Sequence, residues 1–104
     1  MRTPGEIAAV IESRLRRYLA RDRTGIRREM LLLFARMRSL TIAEAFEVLR
    51  LRFSISYHSV AAMIGLIASR IGILHINKGI EGEANRYEIK SQYVDLLTRT
   101  LGPI

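Results

Sequence analysis

Cysteine is absent from this 104-residue chain, and lysine nearly so: of seventeen basic residues fifteen are Arg and two are Lys. Without cysteine there is no disulfide framework, no thiolate zinc site and no thiol nucleophile, which fits a reducing cytoplasm. The two histidines, His58 and His75, fall in different predicted elements with no carboxylate at ligand spacing, so no metal site is expected. No apolar run approaches the roughly 18 residues a membrane span needs. The first residues, Met-Arg-Thr-Pro-Gly-Glu, lack the basic start and apolar core of a secretory signal. The expectation is a cytoplasmic protein with no membrane contact. No Gly-rich loop precedes a helix as a phosphate cradle would, since Gly79 and Gly82 sit in a predicted hairpin. No serine has a base and an orienter visible in sequence. Neither an enzyme nor a cofactor is expected.

What is present is apolar and basic. About half the residues are hydrophobic (49%) and 26% are charged, a globular composition, and the length suits one domain over residues 1–104. The formal net charge is +7, which points to a polyanionic partner or simply to solubility. The charge is unevenly placed. Residues 1–38 hold ten Arg against four acids, while residues 39–104 hold seven Lys/Arg against six acids. Arginine at this excess suits bidentate phosphate and carboxylate contacts better than lysine would.

Periodicity predicts the elements. Thr3-Pro4-Gly5-Glu6 reads as a capping box opening a helix, with Ile7, Ile11, Leu15 and Leu19 as its buried stripe. That appended helix ends by residue 23, and Thr24-Gly25 breaks the chain. A second helix is predicted over residues 26–38, where Leu31 and Leu32 make its middle apolar nearly all round and so central. Ser39-Leu40-Thr41 is a short extended link, and Thr41-Ile42-Ala43-Glu44 is a second capping box. The helix it opens buries Ile42, Phe46, Leu49 and Phe53. Ser54-Ile55-Ser56 forms a tight turn, Ser56 caps a helix over residues 57–71, and Gly72 ends it. The period then changes to 2. Residues 73–77 and 86–90 read as strands around a loop at 78–85, with Leu74, Ile76, Tyr87 and Ile89 on one face. A last helix over residues 91–101 stops at Gly102-Pro103.

The order helix, helix, tight turn, helix, hairpin is that of a winged helix-turn-helix: mainly α with a small β-hairpin. The core is residues 26–90, extended by an N-terminal helix (1–23) and a C-terminal helix (91–101). Agreement between caps, turn, stop and hairpin supports that reading. Three segments carry a resemblance: Ser56-Tyr57-His58-Ser59-Val60-Ala61, Ile67-Ala68-Ser69-Arg70-Ile71-Gly72 and Gln92-Tyr93-Val94-Asp95-Leu96. Through them the chain resembles an uncharacterised family of small archaeal winged-helix proteins. The resemblance implies the fold and a loose link to transcription, with no assigned activity.

In helix-turn-helix proteins the second helix of the motif enters the major groove. Here its outward face would collect His58, Ser59, Ala62, Gly65, Leu66, Ser69 and Arg70. Direct readout relies mainly on Arg, Lys, Asn, Gln, Asp or Glu, and only Arg70 qualifies, at the C-terminal end. His58 and Ser59 are placed to touch a base or a phosphate. The row His58, Ala62, Gly65 and Ser69, with Leu66 beside it, is small enough to admit another backbone closely. It is either a groove for a partner or second copy, or a face covered by this chain's own added helices. Lys78 and Arg86 flank the wing as phosphate contacts, opposed by Glu81 and Glu83 at its tip. Arg14, Arg17 and Arg21 share one helical row, and Arg27 and Arg28 follow the turn, with only Asp22 against them between residues 14 and 28. This stripe suits salt-sensitive phosphate contact with little base specificity. The alternative is a solvated face with pairs such as Glu12–Arg16. The expectation is therefore a double-stranded DNA-binding protein, acting as a dimer and contacting mostly the phosphate backbone. The rival is an interaction or dimerisation module that binds no DNA. The DNA reading gains if the arginine stripe and the helix at 57–71 share a face and fails if they face apart.

Overall fold

The computed structural model describes residues 2–102. Helix α1 (Pro4–Ala20) begins where Thr3, in extended conformation, accepts the Glu6 amide on its side-chain oxygen at 3.2 Å. Pro4, with no amide hydrogen to satisfy, sits at the first helical position. The expected capping box is half made, because the Glu6 side chain does not return a bond to the Thr3 amide. Helix α2 (Ile26–Met37) follows a turn in which Gly25 adopts φ +89. Its first turn is capped by a residue further back. The Asp22 carboxylate accepts the amides of Gly25 (3.1 Å), Arg27 (3.2 Å) and Arg28 (3.1 Å), compensating the orphan donors of the helix start.

The link at Ser39–Thr41 is a strand, β1, and the predicted hairpin is a three-stranded antiparallel sheet in the order β1-β3-β2. β2 (Leu74–Asn77) and β3 (Arg86–Ile89) pair with Leu74 opposite Ile89 and Ile76 opposite Tyr87. β1 adds to the far side of β3, with Leu40 opposite Tyr87. Leu40, Leu74 and Ile89 are buried, but Ile76 lies at the outer end of the shared face and is 42% exposed. Helix α3 (Ile42–Leu49) opens with a complete capping box between Thr41 and Glu44. It stops a turn earlier than expected, and Phe53 is held by its amide bonding the Leu49 carbonyl at 2.9 Å.

Helix α4 (Tyr57–Leu66) starts at Ser56, whose side chain accepts the Ser59 amide at 3.1 Å. The predicted single helix over 57–71 divides, because Ile67–Ile71 is a π-helical turn. Gly72 closes it with φ +85 and its amide on the Ile67 carbonyl at 3.0 Å. A side chain at that φ would be strained, which is why glycine ends the element. A 3₁₀ turn (Ser91–Tyr93) leads into α5 (Val94–Leu101), so the last helix is shorter than its sequence pattern. It ends at Gly102, while Pro103 lies outside the described residues.

One core joins these elements. Leu31 and Leu32 are both buried, as an all-round apolar middle requires, beside Met30 and Phe34. α1 packs its Ile11–Leu15 stripe toward α5 and the π-helical turn, α2 lies against α5 and α3, and α3 lies against α4. Phe34 has no solvent exposure, so truncating it to Ala would cost about 3–5 kcal/mol. The added helices α1 and α5 therefore pack on each other and close the core against α2 and the π-helical turn. Among the described residues no helix is long and apolar enough to cross a membrane.

Candidate functional site

The arginine row of α1 and the end of the α4 segment meet. Arg14, Arg17, Arg21, Arg27 and Arg70 line one concavity of about 310 Å³ with Tyr18, Leu66 and Ile71, and no carboxylate lines it. Leu66 and Arg70 belong to the outward face predicted for the recognition helix, so stripe and helix share a face at the helix's C-terminal end. Two of the guanidinium groups are held from within. Arg14 donates from Nη1 to the Ile71 carbonyl at 3.4 Å. Arg27 donates from Nη1 to the Tyr18 carbonyl at 3.0 Å, and its guanidinium lies 4.5 Å from the centre of the Tyr18 ring. Asp22, the acid expected to oppose the stripe, has its carboxylate on the α2 amides instead.

Tyr18 lines the concavity with the arginines. Its hydroxyl is the one buried side-chain polar atom among the described residues with no hydrogen-bond partner. Burial pushes its pKa up from 10.0 to about 12, with Arg27 opposing and Asp22 adding to the shift. The phenol therefore remains an O–H donor across the working pH range. Tyr18 stands four residues after Arg14 and three before Arg21, so it belongs to the same helical row. That spacing was the available signal.

The remaining basic residues go elsewhere. Arg28 donates to the carbonyl of Leu101, the end of α5, where a cation complements the helix dipole. Arg86 donates from Nε to Ser39 Oγ at 3.1 Å and from Nη2 to the Ser39 carbonyl at 3.3 Å. Its Nη2 also lies 3.1 Å from Glu44 Oε1, which accepts the Thr41 amide as well. These bonds hold Glu44's carboxyl below the usual range, the Thr41 amide being the largest cause and burial working against it. Arg86 thus ties β3 to β1 and to the start of α3. Lys78 is exposed at the base of the wing, away from the concavity's lining. The expected Glu12–Arg16 pair forms at 3.4 Å.

The outward face of α4 is bare. His58, Ser59, Ala62, Gly65, Leu66, Ser69 and Arg70 are all exposed, and a Cβ added at Gly65 would meet nothing within 4 Å. This chain's own helices do not cover the row, whose residues are exposed; α1 borders it only at the C-terminal end, where Leu66 and Arg70 join the concavity. Little on that face can read a base. The Ser59 hydroxyl bonds Ser56 at 3.0 Å, and Ser69 donates to the Gly65 carbonyl at 2.8 Å, leaving His58 and Arg70 as the uncommitted donors.

The wing is tightly made. The Gly79 amide donates to Asn85 Oδ1 at 3.1 Å, and a Cβ at Gly79 would lie 2.0 Å from the Glu83 carbonyl oxygen. The tip turns through Glu81 (φ +39) and Gly82 (φ +84), with the Glu83 amide on the Ile80 carbonyl at 3.1 Å. It presents Glu81, Glu83 and a 74% exposed Ile80, with no base at the tip. A second hollow, about 440 Å³, lies between α2 and α3 and is lined by Leu33, Met37, Leu40, Ala43 and Val48 with Glu44 and Glu47. Among the described residues no group of three or more His, Cys, Asp or Glu could hold a metal ion.

Residues 15–97 match the family described as a protein of unknown function, DUF2551. A protein of Archaeoglobus fulgidus described as uncharacterized is 47% identical over 90 residues, covering 86% of this chain and 90% of its own length. No solved structure matches the chain. The family match takes in the arginine row from Leu15 onward, α4, the sheet and the first half of α5, so the chain belongs to the DUF2551 family.

Proposed function

We propose that residues 26–90 are a winged helix-turn-helix that binds double-stranded DNA, chiefly through its phosphates. In this reading α3 and α4 are the helix-turn-helix pair and β2–β3 the wing, matching the element order α2-β1-α3-α4-β2-β3. The observation that carries it is the junction of the carboxylate-free arginine concavity with the uncovered outer face of α4. A duplex lying along α4 would meet Arg17 and Arg21 with its backbone, and Arg70 at the edge between backbone and groove. The helix itself would offer bases only His58 and Arg70, so sequence preference is weak. Arg14 and Arg27 hold the concavity's shape while keeping their charge. Lys78 adds one phosphate contact at the wing, and Arg86 steadies the wing rather than touching DNA.

The test is a duplex titration of the intact protein at two salt concentrations. Each phosphate neutralised contributes about 0.9 to the slope of log K against log salt. A slope of about 3 or more, nearly equal for unrelated sequences, supports the proposal. No binding at low salt overturns it.

The second reading is an interaction or dimerisation module. It is favoured by the exposed small-residue row and by the apolar hollow on the other side of α3, where Met37 is 60% exposed. Sedimentation of the protein alone separates the two. A tight dimer that ignores DNA selects this one.

A further inference from the structure

We infer that the concavity between α1 and the π-helical turn takes a compact polyphosphate, free or carried by a nucleoside, as a discrete ligand. This rests on reading the concavity as a polyanion site, but not on duplex binding. Five arginine side chains line a hollow of about 310 Å³, at the small end of ligand-sized sites. A passing DNA strand places singly charged diester groups along an extended path, and a concave hollow admits one of them at a time. That leaves most of the five charges uncompensated. An anion with several charges on adjacent phosphoryl groups compensates them in the same space.

The hollow is also partly preorganised. Arg27 is held by the Tyr18 carbonyl and ring, and Arg14 more loosely by the Ile71 carbonyl at 3.4 Å, so the Arg27 fork needs little ordering when an anion enters. Arg17, Arg21 and Arg70 have no ion-pair partner among the described residues and are exposed, so they are free to close on it. Tyr18 is on the same lining, and its ring holds the Arg27 guanidinium at 4.5 Å. The nearby acid, Asp22, keeps its charge but forms no side-chain ion pair with these arginines, its oxygens accepting the α2 amides.

The experiment is calorimetric titration of the intact protein with inorganic tripolyphosphate, inorganic phosphate and ATP at matched ionic strength. The expected result is one tripolyphosphate per chain, bound about tenfold or more tightly than phosphate. Arg17→Gln with Arg70→Gln should weaken it by about tenfold or more, whereas Arg50→Gln with Arg52→Gln should change it less than about twofold. Equal affinity for tripolyphosphate and ATP assigns the site to the phosphate chain alone, and tighter ATP adds the nucleoside. Binding without saturation, or at several sites per chain, or unaffected by Arg17 and Arg70, overturns the inference. A protein that binds duplex but not tripolyphosphate loses this inference and keeps the proposed function. The converse result does the reverse.

Discussion

Around the α1–α4 concavity, Arg17, Arg21 and Arg70 face solvent with no carboxylate in the lining. On α3 and the sheet, Arg50 meets Glu47 at 3.1 Å, Arg52 meets Glu29 at 3.2 Å and Arg86 meets Glu44 at 3.1 Å. The side chains are the same and the surroundings opposite. A paired exposed arginine adds only about 0–1 kcal/mol to stability and projects little net field, because its acid sits beside it. An unpaired group of arginines in a shared hollow keeps its field and draws anions. Net charge alone does not distinguish the two, so +7 overstates the attraction of the sheet side and understates that of the concavity.

The largest effect should come from removing charge on one side and then the other. Arg17→Gln, Arg21→Gln and Arg70→Gln together should lower duplex affinity at low salt by about tenfold per residue, near 1.4 kcal/mol each, and cut the salt slope by about 3. The matching set Arg50→Gln, Arg52→Gln and Arg86→Gln should change the slope by less than about 1. Fluorescence anisotropy at several salt concentrations measures both, and equal losses in the two sets would erase the contrast.

A smaller effect tests whether the sheet side is structural. Gly79→Ala would drive a methyl into the Glu83 carbonyl, where backbone must shift, at a cost of about 1–3 kcal/mol. The expected outcome is faster amide exchange in β2 and β3 and a lower denaturation midpoint, with the salt slope of duplex binding unchanged. A changed slope would mean that the wing carries phosphate contacts.

The smallest effects are in pH. Glu44's folded pKa is lowered, so its contribution is present above the unfolded carboxyl value and is lost as pH falls through the folded one. Glu44→Gln should flatten the acid limb of the denaturation midpoint. Tyr18 is shifted the other way, from 10.0 to about 12. Its contribution is complete below pH 10 and disappears between there and about pH 12. Tyr18→Phe should remove that alkaline fall and delete the last step of the tyrosine absorbance titration. An alkaline limb identical in the variant would place the late-titrating phenol elsewhere.

Much of the scaffold was legible because its signals are local. Thr41 and Glu44 are three residues apart, and their capping box forms as read. Gly72 stops the α4 segment with a positive φ, and the alternation around Leu74 and Ile89 becomes a ladder. The misreadings came where a distant partner decides the outcome. Ser39–Thr41 is too short to declare itself a strand and becomes one because β3 supplies the pairing. The π-helical turn at Ile67–Ile71 has no periodic signature distinct from an α-helix. Asp22 looked like an opposing charge and is a cap, because Gly25 turns the α2 amides back onto it. Of the candidate site, the arginine row was visible as spacing along α1. Its meeting with Arg70, 49 positions beyond Arg21, was not.

Residue order alone settled where the helices begin at Thr3, Thr41 and Ser56 and where arginine is in excess, since each depends on neighbours within a turn or two of chain. Which arginines keep their charge free, and which helix face stays bare, was decided by packing. Ion pairing and burial follow distance in space. Here α1 and α5 closed one side of the core, β3 carried Arg86 to Glu44, and Arg17, Arg21 and Arg70 were left around a hollow with no acid to answer them.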